Sequence, residues 1–222
     1  MVSRSASPPT SKSARAGRRG RLPADERDDR RAAVIEAAFA ELLERGADGV
    51  TMLAIARRAG ASKETLYSWF GSRDGLLSAM IVSNADATAD RIATALGGGD
   101  LHEPRETLAA FGAGLLRLLT DPRSLALNRA AMTNSVLAGE LLASGRHRVG
   151  PLVESYLASI AASGMLDVRD PVGAFETFYG LIIRDTQIRV LLGESAPSAA
   201  AITRRAATGT DQFLALCELG VV

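Results

Sequence analysis

Residues 51–73 read TMLAIARRAGASKETLYSWFGSR, and this stretch decides what the rest of the chain is built to support. Ile55, Ala56 and Ala59 give a first short helix an apolar edge, and Gly60 interrupts it. Ser62 has the right chemistry to start a second helix, because its hydroxyl accepts a backbone N–H that a helix start leaves without a partner. Leu66 and Phe70, four residues apart, put an apolar stripe on that second helix. Its other face carries Lys63, Thr65, Ser68 and Trp69, with Tyr67 at the flank. A short helix anchored at its back and presenting long polar and aromatic groups in front suits insertion into a DNA major groove. The helix-turn-helix is therefore expected at about residues 51–70.

Upstream, Val34, Ile35, Ala38, Phe39, Leu42 and Leu43 recur on one face and predict a helix over residues 28–45, ended by Gly46. Thr51 is placed as the N-cap of the next helix. Residues 1–24 are rich in Ser, Pro, Ala, Gly and Arg, without apolar periodicity, and are expected to be a disordered basic arm. Such an arm either lies along phosphates or enters the minor groove, or it is a solvated tail. Arg57 and Arg58 face either DNA or solvent.

The pattern Thr51, Ile55-Ala56, Ala59-Gly60, Ser62, Thr65-Leu66-Tyr67, Phe70, Arg73 and Leu76 resembles the signature of TetR-type transcriptional regulators, a bacterial family. The likeness runs from about residue 30 to residue 82 and looks closest to the AefR-like subgroup. It implies DNA binding through Thr51, Ser62, Lys63, Thr65, Tyr67, Ser68, Trp69 and Arg73. Thr51, Tyr67 and Arg73 would touch phosphates, and Lys63, Thr65, Ser68 and Trp69 would face base edges. For Trp69 the competing reading is packing against neighbouring helices. Arg73 departs from the lysine usual in the family, and a planar fork is not a point charge.

Downstream of Ser72 a long helix is predicted to about residue 96, and Gly97-Gly98-Gly99 reads as a flexible link. No Gly-Lys-Ser/Thr follows those glycines, so they do not form a phosphate-cradling loop. Further helices are predicted at about 103–120, 122–143, 146–163, 170–193 and 197–219, punctuated by Asp121-Pro122, Gly145, Gly164 and Gly193 to Pro197. The fold class is all-α. The expected division is the arm at 1–24, a three-helix DNA-binding domain at 25–73 and a helical ligand-binding and dimerisation domain at 74–222. By resemblance, Phe111, Leu115, Leu118, Met132, Tyr156, Phe175, Phe178 and Tyr179 lie on helices that surround a ligand cavity; the competing reading is plain core. Asn128, Arg129, Asn134 and Arg184 are candidate polar anchors. The broad apolar stripes carrying Val172, Ile183, Val190, Ile202, Phe213 and Leu216 are expected to pair two copies across a twofold axis.

Composition narrows the function classes. Residues 1–75 hold 14 Lys and Arg against 10 Asp and Glu, whereas residues 76–222 hold 12 against 15, so only the N-terminal third is basic. One cysteine, Cys217, excludes a disulfide framework within the chain, and its apolar setting reads as a small buried hydrophobe. No run reaches the roughly 18 apolar residues of a membrane span, and a cytoplasmic protein is expected. The chain lacks Cys-x-x-Cys, His-Glu-x-x-His, Gly-x-Ser-x-Gly and Gly-x-Gly-x-x-Gly, and His102 and His147 are far apart, so neither catalysis, metal nor cofactor is expected. The expected partners are an inverted-repeat DNA operator, a second copy of the chain and a small, hydrophobic effector, with no membrane. The expected role is a repressor released by that effector. Two alternatives stay open: a DNA-binding regulator without a small ligand, and a helical protein-interaction module.

Overall fold

The computed structural model describes residues 24–97 and 103–222. The expectations for the arm before Ala24, for Gly98-Gly99 and for His102 lie outside the described residues. Eleven helices and no strand occur among those described. The first is α1 (Ala24–Gly49), which Gly46 kinks with φ 68°, ψ 176° before a last turn. That φ lies in a region open mainly to glycine, so the break falls where the sequence places it. Next come α2 (Met52–Arg58), α3 (Lys63–Phe70) and the long α4 (Arg73–Gly97). Then follow α5 (Pro104–Leu119), α6 (Pro122–Ala131), α7 (Ser135–Ser144) and α8 (Arg146–Ala162). The chain closes with α9 (Pro171–Ile183), α10 (Thr186–Leu191) and α11 (Ala199–Glu218).

Two predicted helices are each split in two. The stretch expected at 122–143 breaks before Asn134, whose side-chain oxygen accepts from the Val136 and Leu137 N–H groups and caps α7. The stretch expected at 170–193 breaks at Arg184, the one non-glycine residue with positive φ (48°) among those described. A side chain held there costs on the order of 1–3 kcal/mol, which the packing on either side must hold in place.

The apolar side chains form two clusters. One joins α1, α2 and α3 to the first half of α4 through Phe39, Ile55, Leu66 and Met80, and it also takes in Leu127, Ala130 and Ala131 of α6 and Leu137 of α7. The other gathers α5, α8, α9 and α11 with the end of α4. At its centre the Phe178 ring stacks on Phe111 (5.9 Å between centroids) and meets Phe213 edge-on (5.3 Å). Gly209 lets α11 lie directly on α9: a Cβ there would stand 2.7 Å from Ile182 Cδ1 and 3.1 Å from the Leu181 carbonyl oxygen.

Burial within the protomer corrects most of the expected dimer face. Ile183, Val190, Ile202 and Phe213 are buried inside one protomer and leave no surface for a partner. The stripes look too broad because they must cover α5 and α8 as well as each other. Val172 is exposed and Leu216 half-buried. Cys217 is buried, and burial pushes its thiol up to about 11, which leaves it a hydrophobe.

Phe213→Ala is expected to remove about 3–5 kcal/mol of unfolding free energy, read from the urea midpoint. A loss under about 1 kcal/mol would mean that the Phe111–Phe178–Phe213 group is not the centre of this domain.

Candidate nucleic-acid interface and effector cavity

The helix-turn-helix is assembled by local hydrogen bonds. The Thr51 hydroxyl accepts from the Ala54 N–H at 3.1 Å and starts α2. The Gly60 turn (φ 61°) reverses the chain, with the Ala61 N–H donating to the Ala56 carbonyl at 3.0 Å. The Ser62 hydroxyl then accepts from the Thr65 N–H at 3.1 Å and lies 3.0 Å from the Thr65 hydroxyl. Buried Leu66 and Phe70 anchor α3 from behind, and Ile55 does the same for α2. Lys63, Tyr67 and Ser68 are left exposed on the free face. Lys63 and Tyr67 are one turn apart, with the ammonium 5.6 Å from the ring centroid, so the phenol holds the cation over the recognition surface. The Glu64 carboxyl is held below its usual range by its own backbone N–H and the Ser62 hydroxyl, as suits an acid in a first helical turn.

Three residues have different work from that expected. Trp69 is half-buried, edge-on to Phe70 at 6.3 Å and packed on the apolar cluster, so the packing alternative describes it. Arg73 is engaged within the fold: Nε donates to the Val50 carbonyl at 3.0 Å, Nη2 to the Ala47 carbonyl, and Nη1 lies 3.5 Å from Asp74. The guanidinium fork ties the start of α4 to the turn after Gly46, which a single ammonium could not do in the same way. Arg58 donates to Glu41 and Glu44, and its hydrogen bond lowers the Glu44 carboxyl, so Arg58 braces α2 on α1. Arg57 stays exposed, without an ion-pair partner among the described residues. The sequence reading missed Arg31, whose guanidinium lies 5.1 Å from the Phe70 ring centroid and sets an exposed cation beside the end of α3.

Behind the DNA-facing module lies a cavity of about 260 Å³ between α4, α5, α6, α7, α8 and α9. Of the residues expected to line it, Leu115, Leu118, Phe175 and Tyr179 do so. Phe111 lines a neighbouring cleft, Tyr156 and Phe178 are spent in the core, and Met132 is exposed at the α6–α7 connection. Of the anchors, Asn128 lines the cavity. Asn134 caps α7 and donates to Asp74, Arg129 donates to the Val190 and Leu191 carbonyls, and Arg184 is exposed.

Asn84, Thr88, Ser124, Ser144, Arg146 and Gln187 add to the polar lining. Asn84 Nδ2 donates to the Ser124 hydroxyl at 3.3 Å, and Asn128 Nδ2 to the Ser124 carbonyl at 2.8 Å, so α4 and α6 meet in the wall. Arg146 lies over Phe175 (4.7 Å) and Tyr179 (5.4 Å), with Glu176 at 3.3 Å. Burial raises the Tyr179 phenol and Arg146 opposes the rise, which leaves a neutral hydroxyl in the wall. A polar residue on an otherwise apolar helix face was the one signal for Asn84. Arg146, after a glycine, gave none. No group of metal-ligating side chains, and no helix long and apolar enough to cross a membrane, occurs among the described residues.

The family model "Bacterial regulatory proteins, tetR family" matches residues 34–80, and "AefR-like transcriptional repressor, C-terminal domain" matches residues 106–216, half of the chain. The chain belongs to the TetR family of transcriptional regulators. Regulators of this family are DNA-binding proteins, not enzymes. A TetR regulator from Agrobacterium tumefaciens is 36% identical, with a TM-score of 0.68 over 84% of this chain and 93% of that one. A second solved structure, the flavonoid-responsive regulator FrrA, is 28% identical with a TM-score of 0.65, covering 86% of this chain and 97% of its own. A regulator from Mesorhizobium loti shares the fold at a TM-score of 0.77 and 24% identity, over 85% of this chain and 96% of that one. No curated protein matches the chain.

For this TetR-family regulator, Arg73→Ala is expected to lower stability by about 1–3 kcal/mol, since two carbonyl partners are lost. It should leave the salt dependence of DNA binding unchanged. A salt slope smaller by about 1, with stability unaltered, would return Arg73 to the phosphate.

Proposed function

We propose that the protein is a repressor that binds an inverted-repeat operator as a homodimer and leaves it when a small lipophilic molecule occupies the cavity. The observation that carries this reading is the double use of α6. Leu127 lines the cavity and belongs to the same apolar cluster as Phe39, Ile55 and Leu66, the side chains behind the recognition helix. Ile81 of α4 is shared in the same way, and half-buried Leu141 of α7 packs against that cluster from the cavity wall. A ligand that changes the spacing of α4, α6 and α7 therefore changes the support of α3.

Two recognition helices in a dimer must reach successive major grooves roughly 34–36 Å apart. A small tilt of each DNA-binding unit is enough to spoil that spacing, and a tenfold loss of operator affinity needs a coupling of only about 1.4 kcal/mol. The outer sides of α9 and α11 would join the copies. Exposed Val172 and Gly180 on one helix and Ala200 and Thr203 on the other leave room for close helix approach. Thr51, Lys63, Tyr67 and Ser68 would contact DNA, with Lys63 and Ser68 at base edges. An apolar cavity with a few polar anchors fits a small organic effector, and the flavonoid responsiveness of FrrA supports that class.

Selection of bound duplexes from random DNA at about 150 mM salt, which suppresses the non-specific phosphate contribution, tests the DNA half of the proposal. An inverted repeat is expected, enriched for the full chain and lost with Lys63→Ala plus Tyr67→Ala. A single unrepeated half-site, or no enrichment, would contradict a dimeric, sequence-specific repressor.

A further inference from the structure

Resting on the effector reading above, we infer that the effector is a lipophilic anion. Its apolar part would fill the cavity, and its carboxylate or phosphate head would be held in the adjoining cleft by Arg91 of α4 and Arg117 of α5. The cavity alone holds about 260 Å³, which is small beside the roughly 300–1,000 Å³ of ordinary ligand sites. A second space adjoins it. A cleft of about 620 Å³ lies against it between α1, α4, α5 and the start of α6, and the two share Asn84, Thr88, Ile92 and Leu118 in their walls. Asn84, Thr88 and Ile92 repeat every fourth residue along α4, so one helix face runs through both spaces like a rail, with Leu118 opposite.

The two spaces differ in charge. The cavity is mostly apolar, whereas the cleft is lined by Glu36, Arg91, Arg117, Asp121 and Arg123 among others. Two of these already satisfy each other: Arg123 makes a two-pronged pair with Glu36 at 2.9 and 2.5 Å. Asp121 accepts from the Arg123 backbone N–H as the cap of α6. Arg91 and Arg117 are exposed and have neither an ion pair nor a side-chain hydrogen bond among the described residues. Two guanidinium groups without a carboxylate partner, in a cleft that adjoins an apolar cavity, match a ligand with a planar or tetrahedral anionic head and an apolar tail. Arg91 sits one turn beyond Thr88 and Arg117 is next to Leu118, so both stand just past the shared wall. A neutral lipophile would leave both cations unused.

The test is calorimetric titration of the full chain with decanoate, decyl phosphate and decanol, repeated on Arg91→Gln/Arg117→Gln. Unchanged thermal unfolding of the double variant, expected because both side chains are exposed, would show that its fold is intact. At least one anion is expected to bind the native chain about tenfold or more tighter than decanol. The double variant should reduce that preference to about twofold while leaving decanol binding as it was. Tighter binding of decyl phosphate would identify a phosphate head, and tighter binding of decanoate a carboxylate. Equal binding of decanol and the anions, or a preference that survives in the double variant, would overturn the anionic effector while leaving a ligand-responsive regulator standing. If no probe binds, the effector cavity itself fails, and the anionic head with it.

Discussion

Arg123, one residue into α6, lays its guanidinium 4.6 Å from the centroid of the Phe39 ring and clasps Glu36 with both arms. Both partners belong to α1, the helix that braces the recognition helix from behind. Beneath this clasp Leu127, Ala130 and Ala131 sink into the core of the DNA-binding module. Burying one leucine of this kind is worth about 1.5–3 kcal/mol, comparable to the coupling that an allosteric switch requires. The DNA-binding module therefore does not end at Arg73. Its core closes only when α6 and α7, which also wall the cavity, are in place.

The DNA-binding end was readable because its signals are local. Ser62 and Thr51 cap helices through hydrogen bonds within three residues, and Gly60 supplies its own backbone geometry. Leu66 and Phe70 point the same way because of helical periodicity alone. Arg73 shows where that logic stops. Its position implies a phosphate contact by resemblance, yet its fork reaches back to Ala47 and Val50, more than twenty residues earlier. A contact of that range leaves no mark on the local pattern. Arg58 and Trp69 were ambiguous for the same reason, and tertiary packing decided both.

In the second half the elements were legible and their partners were not. An apolar stripe records that a helix face is buried without recording against what. Ile183, Ile202 and Phe213 are buried against their own protomer, in the cluster that α5 and α8 complete, and Val190 of α10 is buried as well. The same ambiguity divided the aromatic residues. Phe175 and Tyr179 reach the cavity while Phe178, between them in sequence, turns into the Phe111–Phe213 stack. The helix breaks at Asn134 and Arg184 were hidden for different reasons. Asn134 acts as a cap only once α6 has ended, and Arg184 adopts a backbone conformation that its residue type does not favour.

The central claim is that DNA binding and cavity are joined through α6. Hydrogen exchange of the full chain with and without a specific duplex tests it most directly, because amide protection reports local opening helix by helix. Slower exchange is expected in α2 and α3, the helix-turn-helix, and also across Leu125–Ala131 of α6 and in the adjoining turn of α7, which pack behind it. Protection confined to α1, α2 and α3, with α6 exchanging as in the free protein, would contradict the claim and separate the two halves of the molecule.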